Sequence, residues 1–118
     1  MTRKEITLKK EDFGSEWEGK YIFETMSWGT SNEITSDCTS INPATKKSSV
    51  DLKTLQARML DATLVEKPKG ITLDVLMQKD GIPMVLGEFL MSVADHVNGF
   101  GEEDRETLKK LKWRWGLE

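Results

Sequence analysis

The residues of this chain that could do acid–base chemistry are few. His96 is the only histidine and directly follows Asp95. The pair would serve as a general acid and base if the two side chains faced each other. Adjacent residues of a helix point in different directions, so these two do not face each other. We interpret His96 as a surface or helix-capping residue.

Nucleophilic and metal chemistry are also poorly supported. Cys38, the single cysteine, has no basic neighbour and lies on the apolar side of its helix, which indicates a small buried hydrophobe. The segment "DHVNGFGEED" is similar to a calcium loop, but Val97 stands where an oxygen ligand is needed. Its acids at 102–104 fit the start of a helix. The sequence predicts no catalytic residue, no metal and no cofactor, and therefore a protein that is not an enzyme.

The last stretch, "LKKLKWRWGLE", interleaves four basic residues with Trp113 and Trp115, a composition that can stack on bases and neutralise phosphates. The helical spacing of Leu108, Leu111 and Trp115 favours a face that docks on the core. The formal charge of −3 supplies no field that attracts a polyanion. Nucleic acid is therefore disfavoured as a partner. A small regulatory protein that binds nucleic acid through this helix is the alternative function.

The 118 residues fit a single domain that buries one core. No stretch reaches the roughly 18 consecutive apolar residues that cross a bilayer. The first residues, "MTRKEITLKK", lack the apolar run of a signal peptide. We expect a cytoplasmic protein that has no membrane partner.

The front of the chain, residues 1–41, predicts a β-hairpin and a short helix. Residues 5–10 alternate between apolar and polar, and residues 20–28 are rich in aromatic and β-branched side chains, with Tyr21 and Phe23 on one face. Most of 17–28 is therefore expected to be strand. The pair Thr30 and Glu33 predicts a capping box that starts a helix. The expected buried positions of that helix are Ile34, Cys38 and Ile41. A polar loop is expected at 42–49.

The back of the chain, residues 50–118, predicts helices. Residues 50–67 carry an apolar stripe, expected to be buried, after a cap at Ser48 or Asp51. A short helix with inward apolar residues follows at 72–78, a longer one ends at Asn98 with Gly99 in a left-handed conformation, and the last begins near Glu102. The stripe of the first helix is Leu52, Leu55, Met59 and Leu60. The whole predicts an α+β single domain in which an N-terminal β-hairpin packs against a mainly helical C-terminal half.

The helix after Pro83 has more apolar surface than an ordinary amphipathic helix. Its main stripe begins at Ile82 and ends at Val97, and Met84, Val85 and Met91 widen it. Such a helix is either packed on two sides or offers a groove to a partner, and methionine-rich surfaces suit adaptable binding. The candidate partner-binding residues of the chain are Met84, Val85, Leu86, Phe89, Leu90, Met91, Val93, Trp113 and Trp115.

The order of these elements resembles the tail assembly chaperones of long-tailed phages and prophages. The similar segments are "SWGTSNEI", "ARMLDATLV" and "VNGF", within a layout that extends from about Tyr21 to the end. The Trp113 and Trp115 tail and the front segment "EDFGSEWEGK" have no counterpart in that layout.

The resemblance implies a small non-enzymatic protein that works during virion morphogenesis. Such chaperones bind the long, helical tape measure protein and bring tail tube protein to it. They act in the host cytoplasm and are absent from the mature virion. A homo-oligomer is compatible with this role. The client's own apolar stripe would then cover the surplus apolar surface of the chain.

Overall fold

The sheet of the protein is built on the predicted hairpin. The computed structural model describes residues 2–99 and 102–117. Strands β1 (Arg3–Leu8) and β2 (Gly19–Glu24) pair antiparallel, with Ile6 opposite Tyr21. The connection between them contains a one-turn helix, α1 (Lys10–Phe13), and a 3-10 turn (Ser15–Trp17). The predicted hairpin is therefore confirmed.

The second strand is shorter than predicted. It ends at Glu24, and helix α2 (Trp28–Asp37) begins only four residues later. The prediction that most of 17–28 is strand is wrong outside 19–24. The reason is the hydroxyl of Ser27, which accepts a hydrogen bond from the backbone N–H of Thr30 and caps α2. The capping box predicted at Thr30 and Glu33 is also wrong, because Ser27 holds the cap position.

A third strand, β5 (Leu64–Glu66), pairs antiparallel with the other edge of β2. The sequence predicted helix across these residues. The three-stranded order β1-β2-β5 makes β2 the central strand. Tyr21, Ile22 and Phe23 of this strand are all buried, so both of its apolar faces are covered.

The segment after α2 forms a second, exposed hairpin. Strand β3 (Thr39–Ile41) pairs with β4 (Ser48–Val50) around a polar turn at 42–47. The predicted loop at 42–49 therefore ends two residues too late, because residues 48 and 49 belong to β4. Ile34 and Cys38 are buried as predicted, but Ile41 is exposed because it lies on this hairpin and not on α2.

Four helices make up the back half: α3 (Leu52–Thr63), α4 (Leu73–Met77), α5 (Met84–Asn98) and α6 (Glu102–Arg114). The Asp51 carboxylate accepts a hydrogen bond from Thr54 N–H and caps α3. Of the two predicted caps, Ser48 and Asp51, the second is therefore the one observed. Gly99 ends α5, but its φ of −74° is not left-handed, so that prediction is wrong. The α6 backbone begins where predicted, and the side chains of Glu102 and Glu103 lie outside the described part of the chain.

The core lies where α5 crosses the sheet and α3. It joins Tyr21 and Phe23 of β2 to residues of the back half, which confirms the predicted cover of the hairpin by helices. The buried residues of α5 are Leu86, Leu90, Ala94 and Val97. The observed architecture is the predicted α+β fold, a hairpin-based sheet against a helical half.

The predicted stripe of α3 is only partly buried. Leu60 is in the core, but Leu55 and Met59 are half-buried and Leu52 is exposed. The helix is instead buried through Ala57, Leu60 and Thr63, because α5 packs on that side. Leu73, Leu76 and Met77 of α4 are half-buried rather than fully inward.

Tyr21 gives the fold a dependence on alkaline pH. Its buried phenol donates a hydrogen bond to the Trp17 carbonyl oxygen at 2.7 Å, and burial raises the pKa of Tyr21 to about 12. The pKa of an unfolded tyrosine is about 10. The folded state therefore binds the phenol proton more tightly than the unfolded state does. The stabilisation that results is fully present below about pH 10 and is lost as pH rises towards 12.

We expect the free energy of unfolding to fall from pH 9.5 to 11.5 by up to about 2 kcal/mol more in the wild type than in Tyr21→Phe. Urea titrations of both proteins across this range measure the difference. The Phe variant keeps the ring and lacks the titrating group, so it corrects for lysine titration. Parallel pH profiles would contradict the effect.

Candidate helix-binding groove

An open groove runs between α3 and α5. Its larger part has a volume of about 530 Å³ and ends at α4. Its smaller part, about 330 Å³, extends towards α2 and Met26. Gln56 of α3 and Met91 of α5 line both parts, so the two parts adjoin at these residues.

The groove is rich in methionine. Four of the five methionines within the described residues line it: Met26, Met59, Met84 and Met91. Met84 is the first residue of α5 and is 80% exposed, whereas Met91, seven residues later, is half-buried against the core. Thioether side chains are flexible and polarisable, so this lining can adapt to apolar side chains of different shapes.

Gly87 leaves room in the floor of the groove. It lies inside α5, and a Cβ added there would meet only the Cδ1 atom of Ile82, at 3.5 Å. A glycine inside a helix lowers helix stability by roughly 0.5 to 1 kcal/mol relative to alanine. The absence of a side chain at Gly87 keeps the groove open and lowers the stability of α5 by about that amount.

Charged residues stand on both rims. Glu88 of α5 and Lys53 of α3 line the larger part of the groove, and Asp95 of α5 lines the smaller part. Among the described residues, none of these three side chains takes part in an ion pair. A nearby pair between Arg58 and Asp37 instead joins α3 to α2, and this hydrogen bond raises the pKa of Arg58.

The structure separates the predicted partner-binding residues into three groups. Met84 and Met91 line the groove. Leu86 and Leu90 are fully buried and have no surface left for a partner, while Phe89 and Val93 are half-buried against the core. Phe89 also contacts Phe13, with ring centroids 5.9 Å apart.

The remaining predicted residues lie outside the groove. Val85 is 69% exposed but does not line it. Trp113 and Trp115 are more than 70% exposed in and just after α6. The predicted docking of Leu108, Leu111 and Trp115 on the core is wrong, because every described side chain of α6 is exposed. The apolar stripe of an amphipathic helix packs against another apolar surface, but the sequence of the helix does not show whether that surface belongs to the same chain.

The second wall of the groove was missed at the sequence level. It consists of Lys53, Gln56, Ala57 and Met59 of α3 together with Leu60 at its base. The predicted buried stripe included Met59 and Leu60 but not Ala57, because core and groove residues of α3 share one wide stripe. The signal available in the sequence was the methionine content of both helices.

His96 and Cys38 do not line the groove. His96 and Asp95 are both exposed, and Cys38 is a buried free cysteine, as expected. Within residues 2–99 and 102–117, no group of three or more His, Cys, Asp or Glu side chains is placed to hold a metal ion. No helix in the same ranges is long and apolar enough to cross a membrane.

No protein-family model matches the sequence, and no curated protein or solved structure is significantly similar to it.

Proposed function

We propose that the protein is a non-enzymatic tail assembly chaperone of a long-tailed phage or prophage, which holds a helix of the tape measure protein in the α3–α5 groove. In this role it brings tail tube protein to the tape measure protein in the host cytoplasm and is absent from the mature virion. The observation that carries the proposal is the open, methionine-lined groove beside a fully packed core. The order of the sequence segments supports the choice of client.

The dimensions of the groove suit one amphipathic helix. Helix α5 has 15 residues and is about 22 Å long, so its wall can accompany about four turns of a client helix. A client with apolar residues at a spacing of three and four would place one stripe along Met84 and Met91. The charged rims would remain in contact with water and orient the polar flanks of the client.

A second candidate function rests on α6. Lys109, Lys110 and Trp113 border one exposed face of that helix together with Glu106, and Trp115, just after the helix, is also exposed. Exposed aromatic rings among basic residues favour single-stranded nucleic acid as a ligand. A mobility shift of a labelled oligonucleotide that weakens steeply with salt tests this function, because released counterions make such binding salt-dependent.

The exposed end of the groove gives a direct test of client binding. We expect Met84→Gln to weaken binding of a helical tape measure fragment by roughly 5-fold to 30-fold, because removing this apolar contact from the groove wall costs about 1 to 2 kcal/mol of binding free energy. Stability should change by less than about 0.5 kcal/mol, since Met84 is 80% exposed. Isothermal titration calorimetry and thermal melts measure the two quantities.

Val85→Gln is the matched control. Val85 is the next residue, is similarly exposed and lies outside the groove. Its replacement should leave both affinity and stability unchanged. Equal affinities of the Met84→Gln variant and the wild type would contradict the placement of the client along this wall.

A further inference from the structure

The chain itself contains an amphipathic helix, α6, whose apolar stripe is only partly covered. On α6, Leu108, Leu111 and Trp115 follow one another at helical spacing and are 38%, 41% and 72% exposed. Leu108 also borders a cleft between α6 and the end of the body, near Thr25, yet its exposure shows that the cleft does not enclose it. The stripe therefore offers apolar surface to another molecule.

The charges beside this stripe match the rim of the groove. Arg105 and Lys112 flank the stripe on the same side and are seven residues apart. Glu88 and Asp95 on the α5 rim are also seven residues apart. Seven residues correspond to about 10.5 Å along a helix, so both basic groups can face both carboxylates at once. Among the described residues, none of the four side chains is engaged in an ion pair.

The lengths also agree. Helix α6 has 13 residues, about 20 Å, and α5 has 15 residues, about 22 Å. When α6 of one copy runs parallel to α5 of the other copy, Asp104 lies at the end of the groove that Lys53 lines. The same groove and helix are present on every copy, so two copies can exchange helices reciprocally and form a closed dimer.

We propose that the α3–α5 groove of one copy binds α6 of a second copy, with Arg105 and Lys112 facing Glu88 and Asp95. The dimer occupies the groove before the client arrives, so the client must displace α6. This inference rests on the proposed function in one respect only, that the groove accepts a helix. It does not depend on which client the groove binds.

Charge reversal of the full chain tests the exchange without any client. Variant one is Glu88→Lys with Asp95→Lys, and variant two is Arg105→Glu with Lys112→Glu. All four side chains are exposed, so folding should be retained, which circular dichroism checks. In sedimentation velocity at about 100 µM, the wild type should be a dimer, and each variant alone should be a monomer, with a dissociation constant raised at least roughly 100-fold.

Sedimentation of a mixture of the two variants is the decisive measurement. Each groove then faces a helix of opposite charge, so an equimolar mixture should form dimers with a dissociation constant within about tenfold of the wild type. A monomeric wild type, variants that still dimerise alone, or a mixture that stays monomeric would overturn the proposal. If a reversed variant fails to fold, Glu88→Gln with Asp95→Asn replaces it, and undiminished dimerisation of that neutral variant would overturn the proposal equally. Because no tape measure fragment is present, failure here leaves the client measurement with Met84→Gln unaffected.

Discussion

Replacement of Leu90 by alanine is expected to lower the free energy of unfolding by about 3 to 5 kcal/mol. Leu90 is fully buried on α5, in the cluster that also contains Tyr21 and Phe23 of the central strand. Removing its isobutyl group leaves a cavity at the place where helix and sheet meet, and close-packed surroundings relax only partly into such a space. Urea titration followed by tryptophan fluorescence measures the loss.

Val85→Ala is the control for this substitution. Val85 belongs to the same helix and is 69% exposed, so its truncation should change stability by less than about 0.5 kcal/mol. A loss below about 1 kcal/mol for Leu90→Ala would show that α5 does not bury this side against the sheet.

Gly81→Ala is expected to cost at least about 2 kcal/mol, because the new methyl group has no space. A Cβ at this position would lie 1.8 Å from the carbonyl oxygen of Val75 and 2.9 Å from its carbonyl carbon. Both are backbone atoms of α4, which cannot rotate away as a side chain can. The α4–α5 connection, which sets one end of the groove, would have to shift.

Gly87→Ala supplies the comparison. Its Cβ meets only the end of the Ile82 side chain at an ordinary contact distance, and alanine is the better helix former. We expect this variant to gain about 0.5 to 1 kcal/mol in thermal or urea unfolding. A Gly81→Ala protein as stable as the wild type would contradict the close approach of the chain to Val75.

The elements with strong local patterns could be predicted from the sequence. The alternation of β1, the aromatic content of β2 and the stripe of α5 each require a partner surface, and those surfaces exist in the fold. Strand β5 could not be predicted, because "LVEK" continues the pattern of α3 and becomes a strand only through pairing with the free edge of β2. The small hairpin of β3 and β4 likewise has one apolar residue in each strand, Ile41 and Val50, and therefore no apolar alternation.

The candidate site was predictable on one wall only. The excess apolar width of α5 pointed to Met84, Val85 and Met91; the two methionines line the groove and Val85 does not. The same pattern also included Leu86 and Leu90, which are core residues, because periodicity gives the direction of a side chain but not the neighbour it meets. The place of Met59 on the opposite wall depends on how closely α3 and α5 pack, which is a property of the tertiary structure.

The most direct test of helix binding in the groove is calorimetric titration of a helical tape measure fragment into Gly87→Gln, with Gly87→Ala beside it. Glutamine is a good helix former, so the variant should be at least as stable as the wild type while its side chain fills the floor of the groove. We expect the Gln variant to lose affinity by at least about tenfold and the Ala variant to retain it within about threefold. A folded Gly87→Gln protein that binds the fragment as tightly as the wild type would contradict the groove as the client site.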